Sequence, residues 1–134
     1  GFGNDFANAA LIIKTTNEPE VLLHAFQSLE LSMGRIRKKR WGERTLDLDI
    51  LAMGNRILPN RRIFLKWSNL EKKEQVLRSP KQLILPHPRM HERIFVIGPL
   101  RDIAGSWKHP VFEKTVDQIF FELKAESQTE LQPI

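Results

Sequence analysis

The chain has 134 residues, 41% apolar and 28% charged, with a formal net charge of +5 and no cysteine. This is the length of one globular domain with enough apolar content for a core; the absence of cysteine excludes disulfides, thiolate catalysis and cysteine-bound zinc, so any metal must sit on oxygen or imidazole. No apolar run reaches the roughly 18 residues that cross a bilayer, residues 1–10 lack the basic and apolar regions of a secretion signal, and the expectation is a cytoplasmic protein with an anionic partner.

Residues 6–15 end in the β-favouring run Leu11-Ile12-Ile13 and read as a strand. After Asn17, a cap candidate, Pro19 stands in a first turn. Val21, Leu22, Ala25, Phe26, Leu29 and Met33 then recur at helical spacing up to Gly34, a C-terminal stop, which predicts an amphipathic helix of about four turns. Arg35, Arg37, Lys38, Lys39, Arg40 and Arg44 follow with Glu43 as the only acid among them; with Trp41-Gly42 and no apolar periodicity, this is a basic loop. In residues 45–53 the side chains of Leu46, Leu48, Ile50 and Ala52 share one face and Thr45, Asp47, Asp49 and Leu51 the other, predicting a strand with one apolar face.

Gly54-Asn55 turns the chain and Ile57-Leu58 begins a return strand. Residues 59–81 are basic and mixed, with a helical patch at 70–77, and read as an inserted excursion before the extended run 83–86. A polar loop at 87–93 leads to a short apolar segment, 94–103, helical or irregular and interrupted by Gly98-Pro99. Val116, Ile119, Phe120 and Leu123 predict a closing helix over 111–124.

Asp47-Leu48-Asp49 carries the most chemistry. On a strand, residues i and i+2 project to one face with Cα atoms about 6.6 Å apart, and two like charges so placed call for a cation. Magnesium takes one or two carboxylates and completes its shell with water and phosphate oxygens, and paired metals serve phosphoryl transfer. The basic loop just before the pair adds guanidinium groups, which bind phosphate bidentately. Acid and base at one locus point to a metal-bound polyphosphate, and the chain has neither a Walker-type nor a kinase Gly-rich loop. The basic loop with Trp41 would also suit RNA, but Asp47 and Asp49 repel phosphate unless metals intervene. Taken alone, Phe6 and Phe95 are core candidates, His87 is a loop residue, and Gln27 and Glu30 are the solvent face of their helix.

Three blocks carry a resemblance: Gly34-Arg35-Ile36-Arg37, then Arg40-Trp41-Gly42-Glu43-Arg44-Thr45-Leu46-Asp47-Leu48-Asp49-Ile50, then Leu85-Pro86-His87-Pro88-Arg89-Met90-His91-Glu92-Arg93. With Phe6-Ala7-Asn8-Ala9-Ala10 and Phe95-Val96-Ile97-Gly98-Pro99-Leu100, they make residues 6–104 similar to the 6-hydroxymethyl-7,8-dihydropterin pyrophosphokinases of folate synthesis. The resemblance implies an enzyme that transfers pyrophosphate from ATP to the pterin alcohol and releases AMP. Asp47 and Asp49 would hold two magnesium ions, and Arg35 and Arg44 would close on the triphosphate as catalytic arginines of a lid that also bears Trp41. Phe6 and Phe95 would sandwich the pterin, whose edge Asn8 would bond. Gln27, Glu30, Arg37, Ile50, His87 and Arg93 would contact or flank the nucleotide.

The implied partners are ATP and the pterin, with no nucleic acid and no membrane, and with fusion to or association with other folate-pathway domains. The implied fold is α+β, a ferredoxin-like α/β sandwich with an antiparallel sheet and helices on its faces. Residues 1–134 would form one pyrophosphokinase domain, interrupted by the insertion at about 59–81 and lacking the family's N-terminal strand-helix-strand segment. Glu43 departs from the family's usual proline.

Overall fold

The structure is a computed structural model that describes residues 7–36, 46–77, 80 and 82–131, with side chains for all of these except 35, 36, 72, 76, 77 and 128–131. The chain divides into two units. Thr15–His87 forms one, and Pro88–Ile134 with Gly1–Lys14 forms the other. Among the described residues, no helix is long and apolar enough to cross a membrane.

In the first unit, helix α1 (Pro19–Ile36) starts on a buried proline, a residue suited to the first helical position because the N–H it lacks would have no partner there. The carbonyl of Glu18 accepts from the Leu22 amide at 3.1 Å. Asn17 is therefore not the residue next to the helix; its amide donates to Thr15 Oγ1 at 3.0 Å. Nor does Gly34 stop α1, which runs on to Ile36; a glycine inside a helix costs only about 1 kcal/mol relative to alanine. Leu22, Phe26, Glu30 and Met33 are half-buried at spacings of three and four residues and so lie along one inward stripe, while Val21, Ala25 and Leu29 are exposed.

Residues 46–50 keep the predicted alternation in burial: Leu46 and Leu48 half-buried, Ile50 buried, Asp47 and Asp49 exposed. They are not a strand, however. Among the described residues no strand forms, and the β pairing comprises two isolated antiparallel bridges, Leu58 with Leu85 and Lys108 with Thr115. The segments 7–15 and 46–53, expected as strands of an antiparallel sheet, have no ladder. A strand exists through the N–H and C=O groups of a neighbour, and β propensity measures how well a side chain fits a pleated, half-buried surface rather than a backbone preference. Leu11, Ile12 and Ile13 meet no such surface and stand 80%, 68% and 54% exposed.

The excursion after the Gly54 turn contains two helices, α2 (Arg61–Ser68) and α3 (Lys72–Leu77). Only the second lies in the predicted helical patch. The side chain of Asn60 caps α2 by accepting from the Ile63 amide at 2.9 Å, and Phe64 and Ser68, one turn apart, are its buried residues. At the root of the excursion Leu58 and Leu85 exchange both backbone hydrogen bonds, at 2.9 and 3.1 Å. Ile50, Phe64, Ile84 and Leu85 form the buried apolar set of this unit.

In the second unit a 3-10 turn (Met90–Glu92) leads into α4 (Ile94–Ala104), followed by α5 (Val116–Leu131). The interruption expected at Gly98-Pro99 does not occur, and α4 continues through both. Packing of α4 on α5 encloses Ile97, Val116 and Ile119, with Met90 and Val111 also buried. Arg101 Nε donates to Asp117 Oδ1 at 3.0 Å, and its guanidinium lies 4.5 and 4.7 Å from the rings of Phe120 and Phe121. Gly105 makes room for this arrangement, since a Cβ there would stand 2.7 Å from Asp117 Oδ1. A capping box starts α5: Thr115 Oγ1 accepts from the Gln118 amide at 3.1 Å while Gln118 Oε1 accepts from the Thr115 amide at 2.8 Å.

The turn before α5 is built on His109, fully buried, whose Nδ1 accepts from the amides of Val111 and Phe112 at 3.2 and 3.3 Å. An acceptor at Nδ1 requires the neutral ring with its proton on Nε2. Burial, and secondly the charge of His91, lower the His109 pKa to about 4 from an ordinary 6.5; burial likewise lowers that of His91, against the opposing pull of Glu92. A folded-state pKa below the unfolded one means stability that is complete above pH 6.5 and drains away as pH falls towards 4. Thermal melts between pH 7.5 and 4 should show this decline. In His109→Asn, whose Oδ1 can still accept from the turn amides, the protein should be less stable at pH 7.5 but its melting temperature should vary less with pH.

Candidate active site

The carboxylate pair is presented by a segment whose backbone is held from α1. The Leu48 amide, between Asp47 and Asp49, donates to Glu30 Oε2 at 2.6 Å, a short bond to an ionised acceptor. Leu48 turns inward and its neighbours outward, so the two carboxylates share the exposed face. Three residues after Leu48, the Leu51 carbonyl accepts from the His87 amide at 2.8 Å. That bond ties the loop bearing His87, itself half-buried, to the end of the segment. Ile50 is buried among the core residues, which leaves its backbone as the part it can offer a ligand. Gln27 is exposed on α1, one turn before Glu30. Of the sequence-predicted site residues, the first unit thus carries Asp47, Asp49, Ile50, His87, Gln27 and Glu30. Glu30 does not lie on a solvent face, and the bond it makes within this unit is to Leu48.

The second unit carries Asn8, Arg93 and Phe95. Asn8 is exposed and Arg93 half-buried. Arg93 precedes α4, and its carbonyl accepts from the amides of Val96 and Ile97 at 3.0 and 2.9 Å. Phe95, in the first turn of α4, is 55% exposed, so it is not the core residue that its type alone suggests. A half-open aromatic face on a rigid helix is suited to stacking against a flat heterocycle. Pro99, with no N–H, cannot supply the usual helical donor to the Phe95 carbonyl. Phe6, Arg37, Trp41 and Arg44 lie outside the described residues, as does the side chain of Arg35.

Among the described residues no group of three or more His, Cys, Asp or Glu gathers to cage a metal. A magnesium ion bound together with a polyphosphate would need only one or two protein carboxylates and would take its remaining oxygens from water and phosphate. Asp47 and Asp49, exposed on one face, are such a donor set. Two features of the structure escaped the sequence reading. One is the ring cluster about His109, with Phe112 at 4.5 Å, Trp107 at 5.7 Å and His91 at 6.2 Å between ring centroids. The other is the Glu30–Leu48 bond, whose signal was present in the spacing of Glu30 from Leu22 and Phe26.

Comparison with known proteins gives a consistent result. Residues 3–105 match the family described as 7,8-dihydro-6-hydroxymethylpterin-pyrophosphokinase. A 2-amino-4-hydroxy-6-hydroxymethyldihydropteridine pyrophosphokinase of Haemophilus influenzae is 43% identical over 101 residues, which cover 75% of this chain and 51% of that protein. The protein of the same name from Bacillus subtilis is 41% identical over 113 residues, 84% of this chain and 56% of its own length. The folic acid synthesis protein fol1 of Pneumocystis carinii is 36% identical over 120 residues, covering 84% of this chain but 14% of that protein. The chain spans about half the length of the bacterial relatives it matches.

Exposure separates the role of Phe95 from that of its neighbour Ile97, which is fully buried. Ile97→Ala should lower unfolding free energy by about 2–5 kcal/mol, whereas Phe95→Ala should lower it by less than about 1 kcal/mol. Denaturant titration of the two variants measures the difference.

Proposed function

We propose that this chain, which belongs to the 7,8-dihydro-6-hydroxymethylpterin-pyrophosphokinase family, serves the transfer of pyrophosphate from ATP to 6-hydroxymethyl-7,8-dihydropterin in folate synthesis. The pterin hydroxyl oxygen bonds to the β-phosphorus of ATP, the bond from that phosphorus to the bridging α,β oxygen breaks, AMP leaves, and the hydroxyl proton is lost. The observation that carries this reading is the pair Asp47 and Asp49, both exposed on one face while Leu46, Leu48 and Ile50 turn inward.

In this reading Asp47 and Asp49 bind two magnesium ions with the ATP phosphates. When bound, magnesium offsets charge on the non-bridging oxygens and aligns them, the main demand of phosphoryl transfer. Arg35 and Arg44 act on the same charge, and Trp41 serves substrate binding. Phe95, with Phe6, offers its ring to the pterin, and Asn8 bonds the pterin edge. Gln27, Arg37, His87, Arg93 and the backbone of Ile50 serve the nucleotide. The two half-buried groups, His87 and Arg93, are held by backbone bonds at 2.8 to 3.0 Å, which suits residues that must meet a ligand in a fixed place.

The fold that goes with this function is the family's ferredoxin-like α+β sandwich, with 6–15 and 45–53 as strands of its antiparallel sheet. The burial alternation of 46–50 supports it. A cytoplasmic setting, without membrane or nucleic acid as partner, suits soluble substrates. Association with other folate-pathway domains is suggested by the name and greater length of the Pneumocystis carinii relative.

Asp47→Asn and Asp49→Asn should each reduce pterin-dependent AMP release by at least about 100-fold, in keeping with the several kcal/mol that metal neutralisation supplies. Their melting temperatures should stay near that of the unmodified protein because both positions are exposed. The same substitutions should abolish magnesium-dependent binding of a non-hydrolysable ATP analogue. Undiminished turnover in either variant would rule out the carboxylate pair, and binding that ignored magnesium but fell steeply with salt would indicate a polyanion site instead.

A further inference from the structure

We infer that Glu30 is a positioning residue for the carboxylate pair: it fixes the peptide between Asp47 and Asp49, and thereby the face they present to the metal. The inference rests on the metal-site reading above and departs from the nucleotide contact that sequence resemblance implies for this residue.

Glu30 lies on the stripe of α1 that turns inward, with Leu22, Phe26 and Met33 as the half-buried residues above and below it. A carboxylate so placed needs a hydrogen-bond partner, because desolvation without one is costly. It has one in the Leu48 amide, at 2.6 Å from Oε2. Leu48 is the residue flanked by the two aspartates, and residues 46–53 have no ladder among the described residues to hold their pleat. Rotation of the peptide at Leu48 would swing Asp47 and Asp49 apart. The bond to Glu30 opposes that rotation from a helix of 18 residues, a far stiffer support than a loop. The arrangement also keeps this third negative group directed at a backbone donor.

Holding groups of this kind typically contribute 10- to 100-fold to metal affinity without touching the metal. The decisive contrast is between losing the acceptor and losing the charge. Glu30→Ala removes both, whereas Glu30→Gln keeps an oxygen able to accept from the Leu48 amide. Binding of Mn2+ in the presence of a non-hydrolysable ATP analogue, followed by electron paramagnetic resonance, should weaken about 10-fold in Glu30→Ala and recover most of that loss in Glu30→Gln. Hydrogen exchange at the Leu48 amide, measured without metal, should accelerate in Glu30→Ala and stay slow in Glu30→Gln, while the Leu85 amide, bonded to Leu58, should stay protected in both, which shows that each variant is folded.

Equal losses in the two variants would overturn the inference, since they would make the charge of Glu30 the thing that matters, as for a direct ligand. Unchanged Mn2+ affinity in Glu30→Ala, with affinity lost in Asp47→Asn, would overturn it too while leaving the metal site standing. If Asp47→Asn also bound Mn2+ normally, the metal-site reading itself would fall, and the positioning role with it.

Discussion

Backbone polar groups that leave bulk water must find partners, and in the segment that carries Asp47 and Asp49 those partners come one at a time. Leu48 is bonded from α1, Leu51 from His87, Met53 from Arg56 across the Gly54 turn, and Leu58 from Leu85. A sheet would supply such bonds as a repeating ladder and fix every residue by its two neighbours. Here each bond comes from a different part of the unit. The orientation of the carboxylates therefore depends on α1, on the loop at His87 and on the root of the excursion together, and Glu30 acts nearest to them.

The excursion at about 59–81 is closed at its root. Its two ends are joined by the reciprocal bonds of Leu58 and Leu85, and Leu85 is fully buried. The cost of closing a loop grows only with the logarithm of its length, so the residues between these ends can lengthen with little strain on the root. What the excursion must do is bury its own apolar groups. Helix α2 does so with Phe64, leaving Arg61, Arg62 and Lys66 exposed.

Helices were the most legible part of the fold. The spacing in residues 19–33 and 116–123 identifies α1 and α5, because a helix satisfies its own backbone and needs from its surroundings only a place for one face. Helix α2 was missed although Asn60, Ile63, Phe64 and Trp67 spell a cap and an apolar side; the basic residues among them obscured the period. Gly34 and the Gly98-Pro99 pair were read as breaks and are helical: a glycine costs a helix only about 1 kcal/mol, and the cost of about 3 kcal/mol at Pro99 is opposed by the packing of α4 on α5. The exposed face of Asp47 and Asp49 was legible from alternation alone. The place of Glu30 was not, because seeing it required Leu22 and Phe26 to be counted as the inward stripe in preference to Val21 and Leu29.

Strands were the least legible part, for a reason that bears on the fold proposed for the family. Alternation fixes which side chains turn inward, and residues 46–50 keep it, but a ladder is a property of two segments. At residues 11–13 even the burial is absent. Each large apolar side chain left in water forgoes roughly 1.5–3 kcal/mol of transfer free energy, so Leu11, Ile12 and Ile13 together hold a substantial drive towards any surface that covers them. An exposed run of this composition is a template for strand addition. Covering these three side chains would take backbone pairing as well as side-chain burial, because an amide withdrawn from water needs a partner of its own.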